Sequence, residues 1–314
     1  MDEAMTLTYI SRSLRARCSV LLVAAALVTI PAEAASSATR VFPQPEEAAA
    51  ALVSALKATD KKAVFSILGA GSRDWILTGD MPTDRKLWAD FVAAYDKQHT
   101  VVEVADGRAT LIVGEERYPF PFPIMHVPGG WRFDPALGKE ELVNRRVGEN
   151  ELSTIETLKA VVDAQRDYLL ADTGGQPRQY ASRFASTPGK RDGLYWPAAE
   201  GEPQSPLGPL VAEAQAEGYR AKAGGGGQPY HGYRFKMLGG QGPAAVGGAQ
   251  TYAGNGFAVL AWPARYGLTG VKSFLVNQEG VVFERDLGAK TESVAGKITL
   301  FNPDPGWTPV AVKP

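Results

Sequence analysis

The chain has 314 residues, 33 lysines and arginines against 34 aspartates and glutamates, a formal net charge of -1, and one cysteine. Charges this evenly balanced, with no basic tract, leave no electrostatic footprint for nucleic acid or an anionic membrane surface. A single thiol cannot close an intramolecular disulfide, so the fold must stand on its hydrophobic core, and the length suggests two domains.

At the start, Arg12, Arg15 and Arg17 precede the apolar run CSVLLVAAALVTI, and Ala32-Glu33-Ala34 supplies small residues before Ala35. This order predicts a secretory signal peptide over 1–34, with Met1 or Met5 as the start. The apolar run is shorter than the roughly 20 residues of a membrane span, and no later segment is long and apolar enough to be one. Cys18 lies ahead of the run, without the small residues that precede a lipidated cysteine, and would leave with the signal. The expected location is therefore periplasmic or secreted, in the cell envelope, with no transmembrane segment after cleavage.

A first domain is expected over 41–148. PQPEEAAAALVSALKATD places Pro45 and two glutamates at a helix start, with Leu52, Val53 and Leu56 on one face. In PTDRKLWADFVAAYDKQ, Leu87, Trp88, Phe91, Val92 and Tyr95 fall at helical spacing behind a Thr83 or Asp84 cap, and such large apolar residues belong in a core more often than in a ligand cage. From Thr100 the period becomes two, and TVVEV, Asp106-Gly107 and RATLIV predict a hairpin. In YPFPFPIMHV, Pro119, Pro121 and Pro123 strip donors from one side only, which predicts an edge strand. Helices followed by a curved antiparallel sheet suggest a small α+β unit of nuclear-transport-factor-like or cystatin-like shape.

PALGKEELVNRRVGENE is dense in charge and holds Gly138 and Gly148, so it predicts a connector. A second domain is expected over 149–314. Ser153-Thr154-Ile155-Glu156 offers a capping box, and Leu152, Ile155, Leu158, Val162 and Leu169 line the helix that follows, ending before Gly174-Gly175. A long segment rich in Gly, Pro and Ser then runs to about Gly227, with one short helix in PLGPLVAEAQAEGY. Its GGGG at 224–227 is a loop rather than a phosphate cradle, because no Lys-Ser or Lys-Thr follows. YHGYRFKML, GFAVLAWPA, VKSFLVN and VVFERDL predict a meander with a turn at Asn277-Gln278-Glu279-Gly280. One long helix on that sheet would complete a two-layer core, with the proline-rich tail FNPDPGWTPVAVKP lying over the surface.

WRFDPALGKEELVNRRVGENEL, the helix containing VDAQRDY, HGYRFKMLGGQG and GFAVLAWPARYGLTGVKSFLVNQEGVVFERDLG together resemble the bacterial family termed domain of unknown function 2950. That resemblance implies an exported protein and assigns no activity. The second half, with its long helix, DGLYWP loop, GYRFKML strand and GVKSFLVNQEGVV hairpin, is also similar to the globular head of type IV pilin-like proteins. A pilin begins with an exposed apolar helix behind a processed leader, whereas here a whole domain precedes the polar GENELSTIE.

For chemistry, His99, His126 and His231 lie far apart, and none has zinc-ligand spacing to another histidine or a cysteine. There is no G-x-S-x-G elbow. The carboxylate pairs Glu140-Glu141, Glu149-Glu151 and Asp163-Asp167 sit in polar surroundings, where solvation explains them more simply than a desolvated cleft. No cofactor or metal is expected. Arg145 and Arg146 could bind an anion or partner, or form an interdomain clasp with Asp134, Glu140, Glu141, Glu149 or Glu151; the local acids favour the clasp. Tyr195, Trp196, Tyr219 and Tyr230 are the candidate contact residues, since aromatic residues on loops suit recognition. The leading expectation is an exported, non-enzymatic envelope protein that binds an envelope protein or a wall polymer. The alternative is an envelope hydrolase with its site between the two domains.

Overall fold

The structure, a computed structural model, describes residues 39–104, 106–171, 178–199, 201–219 and 228–311. The expected signal peptide, Cys18, Gly174-Gly175 and the glycine run at 224–227 lie outside the described residues.

Four helices come first. α1 (Pro45–Lys57) opens with Pro45 and two first-turn glutamates, as its sequence requires. α2 (Lys61–Leu68) is capped by Asp60, whose carboxylate accepts from Ala63 N at 3.0 Å. α3 (Arg73–Ile76) is a single turn, and α4 (Met81–Lys97) is capped by Asp80, not by Thr83 or Asp84. Asp84 is unavailable as a cap because its carboxylate turns back to the N–H and hydroxyl of Thr78.

The sheet that follows comprises β1 (His99–Val104), β2 (Arg108–Val113), β3 (Tyr118–Pro119), β4 (Ile124–Val127) and β5 (Gly130–Phe133), in the order β1-β2-β4-β5 with β3 beside β2. Asp106 and Gly107 turn the hairpin with φ of 68° and 66°, the left-handed values a tight turn needs. The Pro-Phe run is not a continuous edge strand. β3 and β4 share one side of β2, and the chain leaves the sheet between them at Pro121-Phe122-Pro123, where prolines have no N–H for the ladder. β4 instead lies inside the sheet, and Phe42 covers the outer strand β5 through paired backbone bonds with Trp131 of 2.7 and 2.8 Å. Leu52, Ile67, Leu111, Ile124 and Phe133 are fully buried between helices and sheet.

The expected charged connector and its capping box are overturned by a single helix, α5 (Pro135–Leu170), of 36 residues, about 54 Å long. Asp134 caps it by accepting from Ala136 N and Leu137 N. Ser153 lies in mid-helix, where its carbonyl accepts from the Thr157 hydroxyl. Of the charges that suggested a loop, Glu141 and Arg145 pair four residues apart on the helix surface, while Arg146 and Glu151 reach backbone groups of other elements. Gly138 marks the close crossing with the Pro-Phe run: a Cβ there would stand 2.1 Å from the Pro121 carbonyl oxygen, whereas one at Gly148 would meet nothing within 4 Å.

After α6 (Gly208–Ala216) come β6 (Tyr233–Leu238), β7 (Gly240–Gln241), β8 (Gln250–Thr251), β9 (Ala258–Pro263), β10 (Lys272–Asn277), β11 (Phe283–Asp286), α7 (Thr291–Lys297) and β12 (Thr308–Pro309). The main antiparallel sheet runs β12-β11-β10-β9-β6. Along β9, Val259 and Ala261 pack with Leu158, Val161 and Val162 of α5, while Ala258, Leu260 and Trp262 pack with Ala295, Phe301 and Trp307. The expected two layers are therefore three. α7 and the tail cover the second face through Ala295, Phe301 and Trp307, and the tail adds the exposed strand β12 beside β11. The reason is in β9 itself: every one of its residues is buried, and a strand apolar on both faces needs cover on both. The fold is α+β, and among the described residues no helix is long and apolar enough to cross a membrane.

The two glycines of α5 give opposite expectations. Gly148→Ala should stabilise the protein by about 0.5–1 kcal/mol, as replacing glycine in an open helix does. Gly138→Ala should destabilise it by about 1–3 kcal/mol through overpacking. Urea denaturation of both variants reads this, and a neutral Gly148→Ala would contradict a continuous helix.

Candidate functional site

The last carbonyls of a helix lack partners within it. At α3 they are taken by two guanidinium groups from distant parts of the chain. Arg146 of α5 donates to Trp75 O at 2.8 Å and Ile76 O at 3.1 Å, and Arg265, after β9, donates to Asp74 O at 2.7 Å and Leu77 O at 2.9 Å. Arg146 is 5 % exposed, and its Nε–H has no partner among the described residues. Burial depresses its pKa; Asp84 offsets this and Arg265 adds to it.

The chain after this turn is equally tied down. The Asp80 carboxylate accepts from Tyr219 Oη at 2.9 Å and from Gly232 N at 3.0 Å. The Tyr219 hydroxyl also lies 2.8 Å from Thr83 Oγ1 and accepts from His231 N at 3.1 Å. Burial raises the Asp80 pKa in spite of these hydrogen bonds, which favour the carboxylate. Gly232 has φ 74°, and a Cβ there would sit 2.5 Å from Asn150 Nδ2, so this approach admits only glycine.

Against this polar turn lies an apolar chamber of about 330 Å³, within the range of small-molecule sites. Leu56, Leu68, Phe91, Phe120 and Leu142 line it, and Asp84, Asp90, Arg146 and Glu149 supply its polar groups. The aromatic stripe of α4 is thus only partly core. Phe91 and Trp88 are half-buried and Leu87 is 39 % exposed, because all three face the chamber.

Of the expected clasp, the pairing of Arg145 with Glu141 forms, and the other residues named for it serve separate ends. Asp134 caps α5. Arg145 bonds Glu141 and lies over the Tyr118 ring at 4.5 Å. Arg146 holds carbonyls rather than acids, and Glu149 is exposed at the chamber. Glu151 accepts from Val271 N and Lys272 N, both at 2.9 Å, and so holds the start of β10. The four aromatic candidates divide in two. Tyr195 and Trp196 border one cleft. Tyr219 is buried and edge-on to Tyr230, whose hydroxyl is pushed up to about 12 by burial and by Glu217 and Glu213.

The histidines remain apart. His99 stacks on Tyr95, His126 meets Trp131 edge-on, and His231 pairs with Glu217 at 2.8 Å. Among the described residues no group of three or more His, Cys, Asp or Glu side chains is placed to hold a metal. Sequence reading missed Asp80 and Arg265: Asp80 carried a local signal, an aspartate just before Met81-Pro82 at a helix start, whereas Arg265 reaches its carbonyls across 188 and 191 residues and no spacing signals it.

Asp80 makes a pH-dependent expectation. Because its folded pKa is raised, its contribution to stability is complete below the ordinary 3.8 and is lost as pH rises through the folded value. The difference in unfolding free energy between wild type and Asp80→Asn should therefore shift in the variant's favour between about pH 3.5 and 7. Tyr219→Phe, which strips three groups of their shared hydroxyl, should cost about 1–3 kcal/mol. Urea titrations across pH check both.

Comparison with curated proteins and with solved structures gives no match. A family profile described as "Protein of unknown function (DUF2950)" matches residues 39–310, a span that contains every element and side chain described above, and the chain belongs to this family.

Proposed function

We propose that this chain is an exported, non-enzymatic binding protein that holds a small apolar molecule in the chamber between α1, α4 and the first sheet. One observation carries this reading: a chamber with apolar walls contains one buried guanidinium whose Nε–H is unpartnered. Apolar surface favours an apolar ligand, and a buried donor favours one that presents an acceptor. Asp84 and Glu149 beside Arg146 disfavour an anion there, so the ligand is a neutral molecule with a carbonyl or ether oxygen. The basic and then apolar pattern of the first forty residues supports a periplasmic or secreted location.

An envelope protein or wall polymer as partner, and the likeness of the second half to a pilin head, stay within this proposal. Support for the latter is the packing of one long helix on an antiparallel meander. The division into 41–148 and 149–314 draws on two separate hydrophobic cores, although α5 contributes to both and the described residues pack as one compact unit. The hydrolase alternative draws on the buried Asp80, next to the backbone of His231-Gly232. The binder is favoured because Asp80 is 2 % exposed and already accepts from Tyr219 and Gly232, whereas a general base needs to reach its substrate.

Titration with N-phenyl-1-naphthylamine, a neutral apolar fluorophore, tests the chamber. Its emission should rise and shift to the blue on binding. Leu142→Trp, which fills the chamber, and Leu87→Asp, which places a charge at its wall, should each weaken binding about tenfold or more, the equivalent of losing one well-buried apolar contact. Unchanged affinity in both variants, with melting temperatures near wild type, would remove the chamber as the site.

A further inference from the structure

We propose that the cleft between the Tyr195–Ala199 loop and the first turn of α6 is a second binding site, for a neutral saccharide. It encloses about 420 Å³, and Tyr195, Trp196, Pro197, Glu202, Gln204 and Ser205 line it. It shares no lining residue with the apolar chamber, so the two sites stand or fall separately.

The walls are preset by the backbone. Ser186 N donates to Tyr195 O, Tyr195 N to Phe184 O and Leu207 N to Leu194 O, at 2.8, 2.8 and 2.9 Å. The preceding turn is closed by Asp192, which accepts from Thr187 N at 2.7 Å and Thr187 Oγ1 at 2.8 Å. A loop held in this way keeps its cleft without a ligand, so binding costs little ordering entropy.

Two residues that line this cleft each keep a buried polar atom with no partner among the described residues: the indole Nε1–H of Trp196 and the hydroxyl of Ser205, a residue only 3 % exposed. Buried groups left unpaired are costly, and a fold that keeps two beside one cleft is poised for a molecule that satisfies both. The indole only donates, while the hydroxyl can donate and accept, so the ligand must bring both acceptors and donors. Glu202 and Gln204 ask for the same mixture. Sugar hydroxyls supply it.

Charge narrows the class further. Arg191 lies over the Trp196 ring at 5.4 Å and bonds Glu202 at 3.2 Å, so the cation near the cleft is already balanced by an acid. Among the described residues that line the cleft, a phosphate or carboxylate would find no free counter-charge. Size argues against a peptide, since this volume suits a small molecule and extended peptides are read along a sheet edge or a groove. Pro197, Ala198, Ala199 and Ala212 offer apolar surface for the C–H face of a sugar ring.

The test is a ¹H–¹⁵N correlation experiment on the labelled protein, in which six tryptophan indoles are observed. Trp196→Phe identifies the Trp196 indole signal by its disappearance. N,N′-diacetylchitobiose, cellobiose and maltose are titrated separately, with trialanine as the peptide control. The expected result is a saturable shift of the Trp196 signal with at least one disaccharide, and a loss of affinity of about three- to tenfold in Ser205→Ala, as for one neutral hydrogen bond. The proposal is overturned if no disaccharide moves that signal, if trialanine alone moves it, or if Ser205→Ala binds as wild type does. Should Trp196→Phe fail to fold, Trp196→Tyr makes the assignment and the wild-type and Ser205→Ala titrations still decide.

Discussion

A single turn of helix is the point on which both halves of this protein depend. α3 is far too short to be stable alone, because helix nucleation is unfavourable and its carbonyls have no internal partners. Arg146 and Arg265 remove that obstacle by binding four successive carbonyls. Arginine suits this place better than lysine, since one planar fork spans two acceptors at once. The same pairs join the long helix and the segment after β9 to the chain between α2 and α4. Losing the Arg146 guanidinium would leave the Ile76 carbonyl buried and unpaired, and losing the turn would leave Arg146 a buried cation without acceptors; Arg265 makes its two bonds from an exposed position.

The turn also sets the chemistry of its surroundings. Arg146 spends both of its terminal nitrogens on carbonyls, which leaves Nε–H as the free donor beside the chamber. On the opposite side Asp80 caps α4 while accepting from Tyr219 and Gly232, so a helix start in the first half is fastened to two segments of the second. The chamber therefore lies against a rigid polar wall. Its aromatic side is more open, for Leu87 is exposed and Trp88 and Phe91 are half-buried, whereas Leu52 of α1 and Ile67 of α2 are fully buried.

α5 carries this rigidity across the molecule. Its first turns meet the Pro-Phe run at Gly138 and place Leu142 and Arg146 at the chamber; its later turns place Leu158, Val161 and Val162 against β9 and β10. Between them, Asn150 and Glu151 reach backbone groups at Thr269, Val271 and Lys272. A stiff rod with polar side chains in its middle and apolar ones beyond holds two sheets without a continuous hydrophobic seam.

Local pattern by itself determined the class and most of the elements: the helix at Pro45, the hairpin at Asp106-Gly107, the short helix in PLGPLVAEAQAEGY and the four main strands of the second sheet. These follow from capping, turn chemistry and the alternation of apolar residues, which act over a few neighbours. Tertiary structure decided the rest. Charge along 139–151 reads as a connector until Arg146 and Glu151 are seen to reach backbone groups of distant segments, and the second cover of the sheet depends on Phe301 and Trp307, which sit in a proline-rich tail with no periodicity. The clamp and both clefts were beyond local reading for one physical reason. They depend on which side chains meet after the chain has folded, across separations of up to 191 residues, and on which polar atoms are then left without a partner.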